Sequence, residues 1–367
     1  MKKNWVIKIG SSLVTKGNTG LDNKNIKNWT KQINELVKNN IKVIIVSSGA
    51  IAEGMNRLGL KKRPTSSSEL QALASIGQMG LIQAYETAFK KYNILTAQML
   101  LTHEDLSNRE RYLNAKNTLN NLMSLNVIPI INENDSVSTD EIKFGDNDTL
   151  ASLVANLSSA NLLVMLTDQD GLFNKDPKKE KNAELIQSIS VSDKNLGKYA
   201  GPSSSAMGRG GMITKITAAK KAAKSNTQTI IANGRKKDIL INILNNEKDI
   251  GTRIINKSSG IKSKKQWIAN SSKVKGKLIV DLGARKVIKN SGKSLLPIGI
   301  KSFDGIFQKG DVVAICDSKK VEIARGLSNY DSEYLKKIIG KSTKEIKKEI
   351  EIFDNEVVVH RDNMILS

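Results

Sequence analysis

From Trp5 to about Ile255 the chain alternates short, unbroken apolar runs with longer segments whose apolar residues recur every three or four positions. Trp-Val-Ile-Lys-Ile at 5–9 and Lys-Val-Ile-Ile-Val at 42–46 read as buried strands, because a strand covered on both faces need not alternate apolar with polar. Between them Ile26, Trp29, Ile33 and Val37 fall at helical spacing. Further strands are predicted at Val127–Ile131, Leu162–Thr167 and Thr229–Ala232, with helices at Glu69–Lys91, Arg109–Leu125, Asn147–Ser159 and Met212–Ser225. Repeated strand–helix–strand alternation predicts an α/β fold, a three-layer αβα sandwich around a mostly parallel sheet. Ligands of such folds bind beyond the carboxyl ends of the strands, so the loops after the strands hold the candidate chemistry.

The pattern changes near residue 260. Positions 257–272 are rich in Ser and Lys, lack an apolar period and read as a linker. Beyond them Lys277–Val280, Ser294–Leu296, Asp311–Cys316 and Glu322–Ala324 are short extended runs punctuated by glycine, which predicts a small all-β module. The expected domains are therefore 1–256 and 273–352, with a C-terminal strand and tail at 353–367. Cys316 and His360 read as packing residues, and His103 as packing or capping.

Composition narrows the chemistry. Hydrophobic residues make up 39%, the usual range once Gly is added, and no apolar run approaches the ~20 residues of a membrane span. Lys8 interrupts the N-terminal apolar stretch and no cleavage site follows, so no signal peptide is expected and the address reads as cytoplasmic. One cysteine makes no disulfide within the chain and two histidines make no zinc site, which leaves lysine, carboxylate and backbone amides. The net charge of +22 does not call for nucleic acid: residues 261–367 hold 22 basic and 13 acidic side chains, so the excess is diffuse, and only 10 of 58 basic residues are Arg. A lysine-rich surface of this kind attracts anionic substrates such as nucleotides.

Five strand-end regions, the fifth of them a pair of segments, are dense in polar residues and glycine. Lys8-Ile-Gly10-Ser-Ser puts a lysine at a strand end, followed by a glycine that lets an anion approach, although such a sequence is also a common turn. Ser47-Ser48-Gly49-Ala50 opens a helix, where free amides favour phosphate or carboxylate and where simple capping would look the same. Asn132-Glu133-Asn134-Asp135 gathers hydrogen-bonding capacity that a polar small molecule would use. Gly145-Asp146-Asn147-Asp148 starts another helix. Thr167-Asp168 follows a buried strand, and Gly208-Arg209-Gly210-Gly211-Met212-Ile213-Thr214-Lys215 brings glycines and then a lysine into a helix start, as a nucleotide triphosphate needs. The P-loop spacing and the dinucleotide fingerprint are both missing.

As a set, Lys8-Ile-Gly-Ser-Ser, Val46-Ser-Ser-Gly-Ala-Ile, Gln98-Met-Leu-Leu-Thr, Arg109-Glu-Arg-Tyr-Leu-Asn-Ala, Ile131-Asn-Glu-Asn-Asp, Gly145-Asp-Asn-Asp, Leu166-Thr-Asp and Gly210-Gly-Met resemble the glutamate 5-kinases of the amino acid kinase family. Asp281-Leu-Gly-Ala, Ser294-Leu-Leu-Pro-Ile-Gly, Gly305-Ile-Phe-Gln-Lys-Gly-Asp and Ala324-Arg-Gly-Leu-Ser-Asn-Tyr are similar to a PUA domain. The resemblance implies ATP-dependent phosphorylation of the L-glutamate side-chain carboxylate to L-glutamyl 5-phosphate, in proline biosynthesis. It implies glutamate binding by Ser48, Asp135 and Asn147, with Asn132 and Asn134 beside them. It implies ATP binding by Lys8, Thr167, Asp168 and the stretch Arg209, Gly210, Gly211, Met212, Ile213, Thr214 and Lys215. Lys8 and Lys215 are the implied catalytic lysines, Asp148 holds them, and Gly10 and Gly49 are expected to offer amides. Mg²⁺ is expected on the ATP phosphates with no protein metal site. Arg209 departs from the Thr usual in the family.

Glutamate's carboxylate, with a pKa near ~4.3, is already ionised at neutral pH, so no general base is needed and the scarcity of histidine is no obstacle. Repulsion between two anions is the obstacle, and two lysines offset it. The resemblance further implies a dimer or tetramer, feedback inhibition by proline, and handover of a labile product to glutamyl phosphate reductase. The alternatives are a related kinase acting on aspartate, acetylglutamate or uridylate, and an RNA-binding protein built around the β module.

Overall fold

The computed structural model describes residues 3–16, 20–137, 147–177, 179–200, 211–256, 268, 274–343, 345–346 and 356–367. The chain folds as two compact units, Met1–Leu106 with Arg111–Gly260 and Ser107–Glu110 with Ile261–Ser367. The expected linker at 257–272 lies outside the described residues except for Ile268.

The first unit is built on strands β1 (Lys3–Ile9), β2 (Ile41–Val46), β3 (Thr96–Leu101), β4 (Ile128–Glu133), β5 (Leu162–Thr167), β6 (Ser188–Ser190), β7 (Gln228–Asn233) and β8 (Thr252–Ile255). They form one sheet in the order β3-β4-β2-β1-β5-β7-β8-β6. Every pairing is parallel except β7 with β8. The helices are α1 (Ser11–Val14), α2 (Asn23–Lys38), α3 (Ala50–Arg57), α4 (Ser67–Lys90), α5 (His103–Ser107), α6 (Arg109–Ser124), α7 (Asn147–Leu157), α8 (Met212–Ala223) and α9 (Ile239–Leu244).

Alternate residues of the central strands serve opposite faces, as the pleat requires. Trp5, Ile7, Ile9, Val43, Ile45, Ile130, Val164 and Leu166 join α2, α4 and α9 in one buried cluster, while α7 and α8 pack over β1, β5 and β7. This is the sandwich that the alternating pattern predicts. Helix α2 starts where the Asp22 carboxylate accepts from the N–H groups of Lys24 and Asn25. It buries Ile26, Trp29, Ile33 and Leu36, and Val37, which the spacing favoured, is only half-buried. Strand β3 carries no predicted strand because Thr-Ala-Gln-Met-Leu-Leu lacks a β-branched run and sits at the sheet edge, half in contact with solvent.

Helices α3 and α4 meet backbone to backbone. A Cβ on Gly77 would stand 1.8 Å from the Ala50 carbonyl oxygen, and one on Gly54 would stand 1.9 Å from that of Leu73. Only glycine permits this crossing, and it fixes the first residue of α3.

The second unit has strands β9 (Gly276–Val280), β10 (Ile300–Asp304), β11 (Val312–Cys316), β12 (Glu322–Leu327) and β13 (Met364–Leu366), in the order β10-β9-β11-β12-β13. Only β9 and β11 run parallel. Among the described residues the expected sheet is accompanied by helices that include α10 (Leu282–Ser291) and α11 (Ser332–Ile338), started by the side chains of Asp281 and Asp331. Frequent glycines hide α10 in the sequence, and it buries only Ile288. The run at Ser294–Leu296 makes a single bridge, Leu295 to Val359, in place of a strand. Cys316 is buried in β11, and His360 Nδ1 accepts from the Asp362 N–H at 3.2 Å.

Candidate active site

The carboxyl ends of β1, β2, β4 and β5 and the starts of α1, α3, α7 and α8 surround a cleft of about 370 Å³. Of the residues singled out in the sequence, Lys8, Gly10, Ser48, Gly49, Asn132, Asp135, Asn147, Thr167, Asp168 and Lys215 line it. The parallel sheet delivers these side chains together because successive strands end at the same rim.

Asp148 is the hub. Its Oδ1 lies 2.6 Å from Lys8 Nζ and its Oδ2 lies 3.0 Å from Lys215 Nζ, with all three side chains buried. Thr214 Oγ1 donates to the same Oδ2 at 2.8 Å. Strand β1 carries Lys8, the first turn of α7 carries Asp148 and the first turn of α8 carries Thr214 and Lys215. Burial alone would raise the Asp148 carboxyl, but Lys8 and Lys215 together hold it well below the usual carboxylate range. Burial pulls the Lys215 ammonium below the usual lysine value, opposed by Asp148 and assisted by the charge of Lys8. One carboxylate between two ammonium groups leaves a net positive charge in a largely dry setting, where electrostatic attraction for an incoming anion is strong.

The opposite wall is an amide network. Asn147 Nδ2 donates to the Ser47 carbonyl at 2.8 Å, to Ser48 Oγ at 2.8 Å and to Asn132 Oδ1 at 3.0 Å. Asn132 Nδ2 donates to Gln78 Oε1 at 2.9 Å, and Ser47 Oγ bonds the Tyr85 hydroxyl at 3.1 Å. Helix α4 thus braces this wall from behind through Gln78 and Tyr85, as it braces α3 through Gly77. Gly49 opens α3 with φ +105°, a left-handed conformation suited to glycine.

Three expectations change. Gly10 lines the cleft, but its own N–H donates to the Leu166 carbonyl at 3.2 Å because the β1–β5 ladder runs one residue past Ile9. It therefore offers no amide to an anion, and a Cβ there would sit 3.3 Å from that carbonyl oxygen. Asn134 is a turn residue outside the cleft lining, its carbonyl accepting from Val137 and its side chain from Ser136. Met212 and Ile213 are likewise outside the lining, with Ile213 exposed, and Gly211 precedes α8 as its N-cap. Arg209 and Gly210 lie outside the described residues.

Two residues outside the sequence motifs belong to the site: Arg63, which lines the cleft from the loop after α3, and Gln78 behind it. Gln78 had a legible signal: it shares the buried stripe of Leu70, Leu73, Ala74, Gly77, Leu81 and Tyr85 on α4, where a polar residue needs a partner. Among the described residues no three His, Cys, Asp or Glu side chains come together to hold a metal ion.

Comparison with known proteins places the chain in a family. The family model for the amino acid kinase family matches residues 3–233, and that for the PUA domain matches residues 276–350. Glutamate 5-kinase of Methylococcus capsulatus is 50% identical over 362 residues, covering 99% of this chain and 96% of that protein. Glutamate 5-kinase of Hydrogenovibrio crunogenus is 48% identical over 365 residues, covering 100% of this chain and 97% of that one. Among solved structures, carbamate kinase from Giardia lamblia bound to AMP-PNP overlays 69% of this chain and 98% of its own with a TM-score of 0.50 at 19% identity, which speaks to the fold alone. A family-model match over residues 3–233 together with about 50% identity over nearly the whole length means that the chain belongs to the amino acid kinase family, among the glutamate 5-kinases, with a PUA domain.

Proposed function

We propose that the cleft transfers the γ-phosphoryl group of ATP to the side-chain carboxylate of L-glutamate, giving L-glutamyl 5-phosphate, the first step from glutamate towards proline. The observation that carries the reading is the Lys8–Asp148–Lys215 cluster, two buried ammonium groups held by one carboxylate at the rim of the sheet. Glutamate's carboxylate is anionic already, so the protein's task is to hold two anions in line and stabilise charge on the transferring oxygens. Lys8 and Lys215 supply that stabilisation, and Asp148 keeps both pointed at the same place.

Ser48, Asn147, Asn132 and Asp135 suit the amino-acid end of glutamate, which presents one carboxylate and one ammonium. Thr167, Asp168 and the start of α8 suit the nucleotide. Both oxygens of Asp148 are engaged by lysines, so the residues present would suit Mg²⁺ carried mainly by the nucleotide phosphates, and Asp168, which lines the cleft, is the carboxylate that would help hold it. When bound, the ion withdraws charge from the phosphate oxygens.

Among the described residues no helix is long and apolar enough to cross a membrane, and a cytoplasmic setting is part of this reading. So are self-association into a dimer or tetramer, inhibition by proline at the glutamate end, and handover of the labile acyl phosphate to a reductase. The test is ATP turnover with hydroxylamine trapping of the acyl phosphate, using glutamate, aspartate and N-acetylglutamate in parallel and repeated with proline. Hydroxamate from glutamate alone, suppressed by proline, is expected. Hydroxamate from another acceptor, or none, overturns the assignment.

A further inference from the structure

Ser48 lines the cleft, and what its hydroxyl presents there is determined by a chain of amides that begins at Gln78. The Ser47 carbonyl only accepts, so Asn147 must turn Nδ2 towards it. That same nitrogen reaches Ser48 Oγ and Asn132 Oδ1. Ser48 Oγ is therefore an acceptor in this contact and keeps its own hydrogen, which goes to no described residue. Asn132 Oδ1 also accepts from the Glu133 N–H at 2.9 Å, which leaves Asn132 Nδ2 to find an acceptor. Gln78 Oε1 is that acceptor.

Gln78 is 8% exposed and lies outside the cleft lining. Its Nε2 is buried and has no hydrogen-bond partner among the described residues. A buried amide with one half unpartnered is costly, so the oxygen is the part with a use. An apolar residue at this point of the α4 stripe would avoid that cost but would strand Asn132 Nδ2.

We propose that Gln78 is a positioning residue for recognition of the substrate carboxylate. Its oxygen anchors Asn132, Asn132 meets Asn147, and Asn147 occupies the Ser48 oxygen, so that Ser48 faces the cleft as a hydrogen-bond donor. This rests on the glutamate reading above and adds to it a residue that touches neither substrate.

The test is Gln78→Met, which is close in volume and lacks the acceptor. The glutamate KM is expected to rise about tenfold, with kcat within about threefold and the ATP KM unchanged. Because Gln78 acts through Asn132, adding Gln78→Met to Asn132→Ala should raise the glutamate KM no further than Asn132→Ala alone. Gln78→Glu keeps an acceptor oxygen and should hold the KM within about threefold of the unsubstituted protein. An unchanged KM in Gln78→Met overturns the proposal, as does a full multiplicative effect in the double variant or a tenfold rise in Gln78→Glu. A parallel loss of kcat, both KM values and melting temperature also overturns it, by reducing Gln78 to structural support. Failure of the unsubstituted protein to turn over glutamate would remove both readings, and it is distinguished by appearing before any substitution is made.

Discussion

The two units bury polar groups for different ends. In the first, Lys8, Asn132, Asn147, Asp148 and Lys215 are all buried at the strand ends. Several of their bonds join residues far apart in the chain, 67 positions between Lys215 and Asp148 and 100 between Asn147 and Ser47. The second has its own hydrophobic core, built from Leu278, Val280, Phe307, Val313, Ile315 and their neighbours. Its buried polar residues include turn-forming ones: Asp317 accepts from the N–H groups of Lys319 and Val321, and Ser328 donates to the Tyr330 carbonyl. Burying charge costs stability unless it is paired. The first unit accepts that cost with three buried charges in mutual contact at the rim of the sheet, whereas the cation facing buried Asp317 in the second, Arg285 at 3.7 Å, is 42% exposed. Buried charges in mutual contact at the strand ends are thus the mark of the chemistry.

The strongest way to break this contrast is to remove a cation from the rim. Lys8→Met is expected to lower kcat about 10³-fold, because the transferring phosphoryl oxygens lose one of two ammonium groups in a low-dielectric site. Circular dichroism and melting should show the fold retained. A variant with near-normal turnover would remove Lys8 from the chemistry and make the cluster a structural ion pair.

Removing the hub instead should cost stability as well as rate. In Asp148→Asn two buried ammonium groups face each other without a carboxylate, and a loss of about 3–5 kcal/mol in denaturant unfolding is expected. The pH dependence has a definite sign. The folded Asp148 carboxyl titrates below its ordinary 3.8, so its contribution is present above that value and fades as pH falls through the lower folded value. The gap between the native protein and Asp148→Asn should therefore be constant from pH 8 to about 4 and narrow below it. A gap that already narrows at pH 6 would mean that the carboxylate is not held by the lysines.

Much of the first unit was legible because periodicity carries it. The strand Leu162–Thr167 is where the apolar run predicts it, and α7 and α8 begin at Asn147 and Met212 as expected. Lys8, Asp148 and Lys215 were legible as a set only through resemblance, since each alone is an ordinary strand-end or first-turn residue. Three things were not legible. Gly10's amide was lost to the ladder, which depends on register that no local pattern reports. Gln78's burial on the α4 stripe was legible, but its role was not, because it depends on which way three amides point. Edge strand β3 and helix α10 are shaped by partial exposure, where the hydrophobic signal is weakest.

The converse test perturbs the second unit's core. Phe307 is 1% exposed and packs edge-on against Phe303, with ring centres 5.9 Å apart. Gly276 leaves the ring its space, since a Cβ there would come within 2.4 Å of it. Phe307→Ala is expected to cost about 3–5 kcal/mol in the unfolding of this unit through lost burial and the cavity left behind. Glutamate KM and kcat, measured well below the melting temperature, should stay within about twofold. A tenfold change in either would show that this core also serves the kinase chemistry.

The smallest effect comes from a charge pair that looks, on distance alone, like those of the rim. Arg325 on β12 forks onto Glu322, with Nε to Oε1 at 2.9 Å and Nη2 to Oε2 at 3.1 Å. Lys8 and Asp148 are 2.6 Å apart. The difference is solvent: the Arg325 and Glu322 side chains are 25% and 29% exposed, against 7% and 1% for Lys8 and Asp148. Water and salt screen the first pair, and each of its members can be solvated when the other is lost. Arg325→Ala is therefore expected to cost less than about 1 kcal/mol, and the loss should shrink further in 0.5 M salt, roughly where the Debye length falls to a few ångströms. A salt-insensitive loss as large as that of Asp148→Asn would show that proximity, rather than burial, determines what an ion pair contributes in this chain.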